Sequence, residues 1–137
     1  VRQQPSGGLT LAVVGLGFDL VEVDRMRRRL ARTPSLARRL FTDGERAYCE
    51  ATSDPSERFA ARFAAKEAFM KALGVGLGSI DWHDVEVVRS DSGAPALVVT
   101  GRAAELARSA GVSRWLVTLT HTASTAGAVV VAEGQPG

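Results

Sequence analysis

The stretch from about Ser56 to Leu73 constrains this chain most, because it reads as one uninterrupted, alanine-rich helix stopped by Gly74. At 100° per residue Phe59, Phe63, Met70 and Leu73 fall on one stripe, which predicts an element packed along the protein's interior. Glu67 projects within that stripe, with Lys66 beside it and Lys71 one turn on. A carboxylate among apolar residues requires a partner.

What surrounds the helix sets the fold class. Upstream, "LAVVGLG" is a β-branched run suited to a buried strand, and helical spacing follows it through Val23, Met26 and Leu30, with the break near 17–22. Pro34 ends or restarts that helix. "TDGERAYCEA" opens another, with Thr42 as N-cap and Glu45 at capping-box spacing. Downstream, "DVEVVRS", "PALVVTG", "RWLVTLTHT" and "AGAVVVAE" read as strands, with a helix at "RAAELARSAG" between the second and third. Strands that follow helices predict an α+β fold. The 137 residues suit one domain, with residues 1–8 and 134–137 expected to be flexible tails.

Composition excludes several classes. Hydrophobic residues make up 45% and charged residues 23%, too apolar for a disordered chain. The run at 9–18 is too short to span a membrane and stops at Asp19, so it is read as a strand rather than a signal segment. A single cysteine, Cys49, permits no intrachain disulfide, and a cytoplasmic setting is expected. Net charge is only +2, yet basic residues crowd 25–46, where positions 25, 28, 29 and 32 share a helical face. Such a stripe suits an acidic helix or a nucleic-acid backbone, although a solvated face is the ordinary reading.

Two carboxylates sit where apolar residues would be cheaper: Asp19 at the end of the first strand and Glu67 in the long helix. The bland explanation for Glu67 is an intrahelical pair with Lys71, four residues on. The alternative is a hard dication such as magnesium, which takes one or two protein carboxylates and fills its shell with water and phosphate oxygens. Lys66 and Lys71 would then contact phosphate, and the amides of "GVGLG" at 74–78 could close around it. His121, in "TLTHT", lies near a strand end among threonines, a setting more often structural than catalytic.

Together, "GFDLVEVDR" at 17–25, "FTDGE" at 41–45, "RFAAKEAFMKALGVG" at 62–76 and "VTLTHT" at 117–122 resemble the holo-acyl-carrier-protein synthases, small single-domain 4′-phosphopantetheinyl transferases. The resemblance spans about Leu11 to Glu133. It implies transfer of phosphopantetheine from coenzyme A to a serine of an acyl carrier protein, releasing adenosine 3′,5′-bisphosphate. It also implies an antiparallel sheet against a long helix, magnesium at Asp19 and Glu67, and Lys71 assisting the leaving group. Lys66 and Arg62 are expected near phosphate, and His121 near the 3′-phosphate or adenine. Gly74, Gly76 and Thr122, within the matching blocks, and Pro95, in "GAP" at 93–95, are expected as coenzyme A contacts.

Arg25 matches the residue that docks the acidic carrier, of fatty-acid or polyketide type, and helical spacing adds Arg28 and Arg32. The partner implied is a protein, not a nucleic acid or a membrane. The family's usual homotrimer would set His121 and Pro95 against Asp19 and Glu67 of a neighbouring chain. Glu22 is available as a third acid. The general base, a metal-bound water or a carboxylate, stays open. Phe18 replaces a usual aliphatic residue, "GVG" replaces "GTG", and "GAP" at 93–95 replaces "GKP", so Val75 and Ala94 lack two possible coenzyme A contacts. A basic binding module without catalysis has no need of two acids at apolar positions, and a phosphate-ester hydrolase commonly needs more of them.

Overall fold

The structure is a computed structural model that describes residues 10–135; the expected tail at 1–8 lies outside the described residues. Its elements are β1 (Ala12–Glu22), α1 (Val23–Arg32), α2 (Leu36–Leu40), α3 (Asp43–Glu50), α4 (Pro55–Leu73), a 3-10 turn (Trp82–Asp84), β2 (Val85–Arg89), β3 (Pro95–Val99), α5 (Gly101–Ser109), β4 (Val112–His121) and β5 (Thr125–Gly134). The strands form two antiparallel sheets, a three-stranded one in the order β1-β5-β4 and a β2-β3 hairpin.

Helix α4 is the centre of the molecule. Pro55 stands at its first turn, Asp54 caps it by accepting the Ser56 amide at 3.3 Å, and Gly74 ends it at φ 77°, donating its amide to the Met70 carbonyl at 2.9 Å. The single apolar stripe expected from its spacing is too narrow. Ala64, Ala65 and Ala68 pack with Ala128 and Val130 of β5, while Phe59 and Ala60 join Phe41 and Cys49, and Phe69 and Met70 join Val85 and Ala103. A helix buried on several sides has no single stripe to read.

Small residues on α4 let the sheet come close, and β1 answers with glycines. A Cβ at Gly15 would lie 2.1 Å from the Ala72 carbonyl oxygen, and one at Gly17 would lie 1.8 Å from that of Ala68. No side chain fits there, so strand and helix meet backbone to backbone.

Three expectations are corrected. Strand β1 is an edge strand with one apolar face in the open: Val13, Leu16, Phe18 and Leu20 are 54–64% exposed. A run of apolar residues does not distinguish a strand buried on both faces from one whose second face awaits a partner. Asp19 lies inside β1, opposite Ala128, rather than at its end. Gly134 belongs to β5 rather than to a tail, and Gly111 carbonyl oxygen would sit 1.8 Å from any Cβ placed there.

Candidate functional site

Asp19 and Glu67 line one cleft of about 300 Å³, closed on its other sides by Glu22, Arg25, Arg29 and Phe63. Pleating aims Asp19 toward α4, since its neighbours Phe18 and Leu20 face out, and the bare Gly17 lets α4 approach two residues away. Lys71 Nζ lies 2.9 Å from Asp19 Oδ1 and donates to the Phe18 carbonyl at 3.1 Å. Burial, and then the Asp19 charge, raise the Glu67 carboxyl above its ordinary pKa, while Lys71 and Arg29 pull the other way.

This donor set fits a hard dication. Among the described residues no ready-made cluster of three His, Cys, Asp or Glu side chains occurs, and two carboxylates are what magnesium takes when substrate phosphate completes its shell. Two acids repelling each other across a half-buried cleft would be relieved by a cation between them.

The other expected phosphate contacts lie elsewhere. Arg62, Pro95 and His121 line a second pocket of about 300 Å³, together with Tyr48, Arg58 and Arg89. Arg62 is 5% exposed, and its Nε is buried without a hydrogen-bond partner among the described residues. Its guanidinium carbon sits 4.1 Å from the centroid of the Tyr48 ring.

Lys66 touches neither pocket, and its expected phosphate contact is corrected. Only 1% exposed, its ammonium lies 2.8 Å from Glu45 Oε1 and donates to the carbonyls of Trp82, at 2.9 Å, and Val85. Adjacent helical residues diverge by 100°, so with Glu67 turned to the cleft Lys66 turns to the core. Glu45 also accepts the Thr42 amide at 3.0 Å and the Val87 amide at 2.8 Å, so the N-terminal box of α3 doubles as a buried ion-pair site. Burial drives the Lys66 pKa down against the opposing pull of Glu45.

Gly74 is the left-handed cap of α4 and Gly76 lies exposed in the following loop; neither lines the two pockets. Leu77 brings that loop to Glu67 along an adjoining recess shared with Phe63 and Trp82. Thr122 braces the β4–β5 turn, its hydroxyl accepting the amides of Ser124 and Thr125 at 3.2 and 3.1 Å. Arg25 reaches the first cleft, whereas Arg28 and Arg32 stand exposed on α1. Cys49 is buried and its thiol is pushed up to about 12, chiefly by burial, so it offers no nucleophile at neutral pH.

Sequence reasoning missed Gly15, Gly17, Tyr48, Arg58 and Arg89, and placed Arg29 on the basic face of α1 without bringing it to the cleft. Arg58 could have been found, standing four residues before Arg62 on one helical face. Tyr48 and Arg89 come from other elements, and no local spacing joins them to Arg62.

The family description of the 4′-phosphopantetheinyl transferase superfamily matches residues 15–129. A holo-[acyl-carrier-protein] synthase from Anaeromyxobacter sp. strain K is 51% identical over 126 residues, covering 89% of this chain and 97% of its own. Among solved structures, the Neisseria meningitidis holo-[acyl-carrier-protein] synthase superposes with TM-score 0.80 at 28% identity, covering 88% of this chain and 98% of its own. That from Bacillus anthracis, in complex with CoA (3′,5′-ADP), gives 0.73 at 31%, covering 90% and 98%. The chain belongs to the 4′-phosphopantetheinyl transferase superfamily, in its holo-acyl-carrier-protein synthase branch, and is a transferase.

Proposed function

We propose that the chain transfers 4′-phosphopantetheine from coenzyme A to a serine of an apo acyl carrier protein, with magnesium at Asp19 and Glu67. The observation that carries this reading is the convergence of those two acids on one cleft, in a chain whose family relative from Bacillus anthracis holds coenzyme A. The serine Oγ forms a bond to the β-phosphorus of the coenzyme A pyrophosphate. The bond from that phosphorus to the bridging oxygen breaks, and adenosine 3′,5′-bisphosphate leaves with the electron pair. The serine proton passes to a water or to a cleft carboxylate.

Magnesium, when bound, supplies neutralisation of the charge that builds on the pyrophosphate. Lys71, 55% exposed at the mouth of the cleft, adds a mobile positive charge for the departing phosphate. Arg62, Pro95 and His121 would hold the nucleotide end, and Arg25, Arg28 and Arg32 on α1 would receive the acidic carrier.

The two pockets share no lining residue, and we infer that one active site pairs the cleft of one chain with the nucleotide pocket of another. A homotrimer with interfacial sites accounts for this, and Leu16, Phe18, Leu20 and Leu116 offer an apolar sheet face to such a neighbour. A cytoplasmic role in fatty-acid synthesis, where carrier proteins need this prosthetic group, completes the reading. Refolding an inactive Asp19→Asn variant together with an inactive His121→Ala variant tests the shared site: mixed assemblies should regain part of the activity. If mixing restores none, each site lies within one chain.

A further inference from the structure

Three guanidinium groups meet on one tyrosine, and none of them is in an ion pair among the described residues. Arg58 and Arg62 lie over the Tyr48 ring at 4.0 and 4.1 Å, and Arg89 donates to its hydroxyl at 3.0 Å. Arg58 is further pinned by donating to the Tyr48 carbonyl at 2.6 Å. Like charges repel, so gathering three of them needs either an anion or a scaffold that holds them for one. The tyrosine supplies the scaffold through its ring face and its oxygen.

The pocket supplies the place for the anion. Among the described residues no acidic side chain lines it, and the buried Arg62 faces it with one N–H unused. Arg89 reaches in over Gly93, where φ is 88° and its nearer amino nitrogen would lie 3.0 Å from any added Cβ. Its register partner is Pro95, which lines the same pocket. Burial alone would raise the Tyr48 phenol pKa, but the Arg89 hydrogen bond and the charges of Arg58, Arg62 and Arg89 bring it below its ordinary value.

We propose that Tyr48 is a positioning residue that gathers Arg58, Arg62 and Arg89 into a cradle for the 3′-phosphate of coenzyme A. The inference rests on the coenzyme A reading above and deepens it. A tetrahedral dianion suits several guanidinium forks better than one. Tyr48 therefore sets selectivity for the phosphorylated nucleotide without touching the reacting atoms.

Calorimetric titration with coenzyme A and with 3′-dephospho-coenzyme A tests this in the full chain. The wild type should prefer coenzyme A by at least about tenfold, the scale of a hydrogen-bonded charge. Tyr48→Leu should erase most of that preference, weakening coenzyme A by about tenfold while weakening the dephospho form far less. Arg89→Gln, at an exposed position, should also reduce it. Tyr48→Phe should cost part of the preference in the wild type and nothing further once Arg89 is Gln. If the wild type discriminates and both Tyr48→Leu and Arg89→Gln still do, the cradle is wrong and the coenzyme A reading stands. If the wild type does not discriminate, the pocket is no 3′-phosphate site and both fall.

Discussion

Lys71 pairs with Asp19, 52 residues away, and not with Glu67 one turn before it on the same helix. The intrahelical pair allowed by the spacing of Glu67 and Lys71 is therefore not made, and Glu67 is left facing the cleft with a raised pKa. The cation that the last turn of α4 offers goes to the strand.

Lys71 is exposed, and a surface ion pair contributes little to stability. Lys71→Met is expected to change unfolding free energy by less than about 1 kcal/mol while lowering kcat for phosphopantetheine transfer by about tenfold or more, as loss of charge stabilisation on a leaving phosphate would. Denaturant titration beside steady-state kinetics separates the two; a large stability loss with unchanged kcat would make Lys71 purely structural.

Glu67 gives a pH-dependent expectation. Its folded pKa lies above the unfolded value of 4.5, so its contribution is fully present below about that pH and is lost as pH rises through the raised value. Without magnesium, Glu67→Gln should therefore be more stable than the wild type at pH 7, by under about 1 kcal/mol after solvent screening. The gap should close as pH falls toward 4.5. Thermal unfolding from pH 4 to 8 measures this, and added magnesium should raise the Tm of the wild type only.

Lys66 provides a contrast with its neighbour. Lys66→Met leaves Glu45 buried without its cation and should cost about 3–5 kcal/mol, with Lys66→Met/Glu45→Gln recovering part of the loss. Urea unfolding of the single and double variants checks this. An intact fold with only a raised KM for coenzyme A would return Lys66 to the phosphate site.

Gly17→Ala would place a methyl group 1.8 Å from a backbone oxygen of α4, which cannot rotate away. The helix must shift, carrying Glu67 from Asp19. We expect about 1–3 kcal/mol of destabilisation and a fall in kcat/KM of up to about a hundredfold, out of proportion to the stability loss. Equal activity in the folded variant would show that the spacing of strand and helix is not critical.

Much of this was legible because it is local. The extent of α4 follows from its alanines and Gly74, with Pro55 adding one residue before the expected start near Ser56, and the Thr42–Glu45 box appears as its spacing requires. Asp19 and Glu67 stand out because each is an acid set among apolar residues. What stayed hidden depends on contacts between distant segments. Lys66 and Glu67 are neighbours that both carry a charge, and only the position of β2 and α3 decides which one the core accepts. The open face of β1 reads like a buried one, since an apolar side chain looks the same whether the chain covers it or leaves it for another. The Tyr48 cluster draws on α3, α4 and β2 together.

The most direct test is the mass of an apo acyl carrier protein after incubation with coenzyme A, magnesium and either the wild-type chain or Asp19→Asn. The expected result is a gain of one phosphopantetheine with the wild type, lost on chelation of magnesium and absent with the variant. Carriers from several pathways that all keep their apo mass would contradict the account, and so would a variant that modifies them as fast as the wild type does.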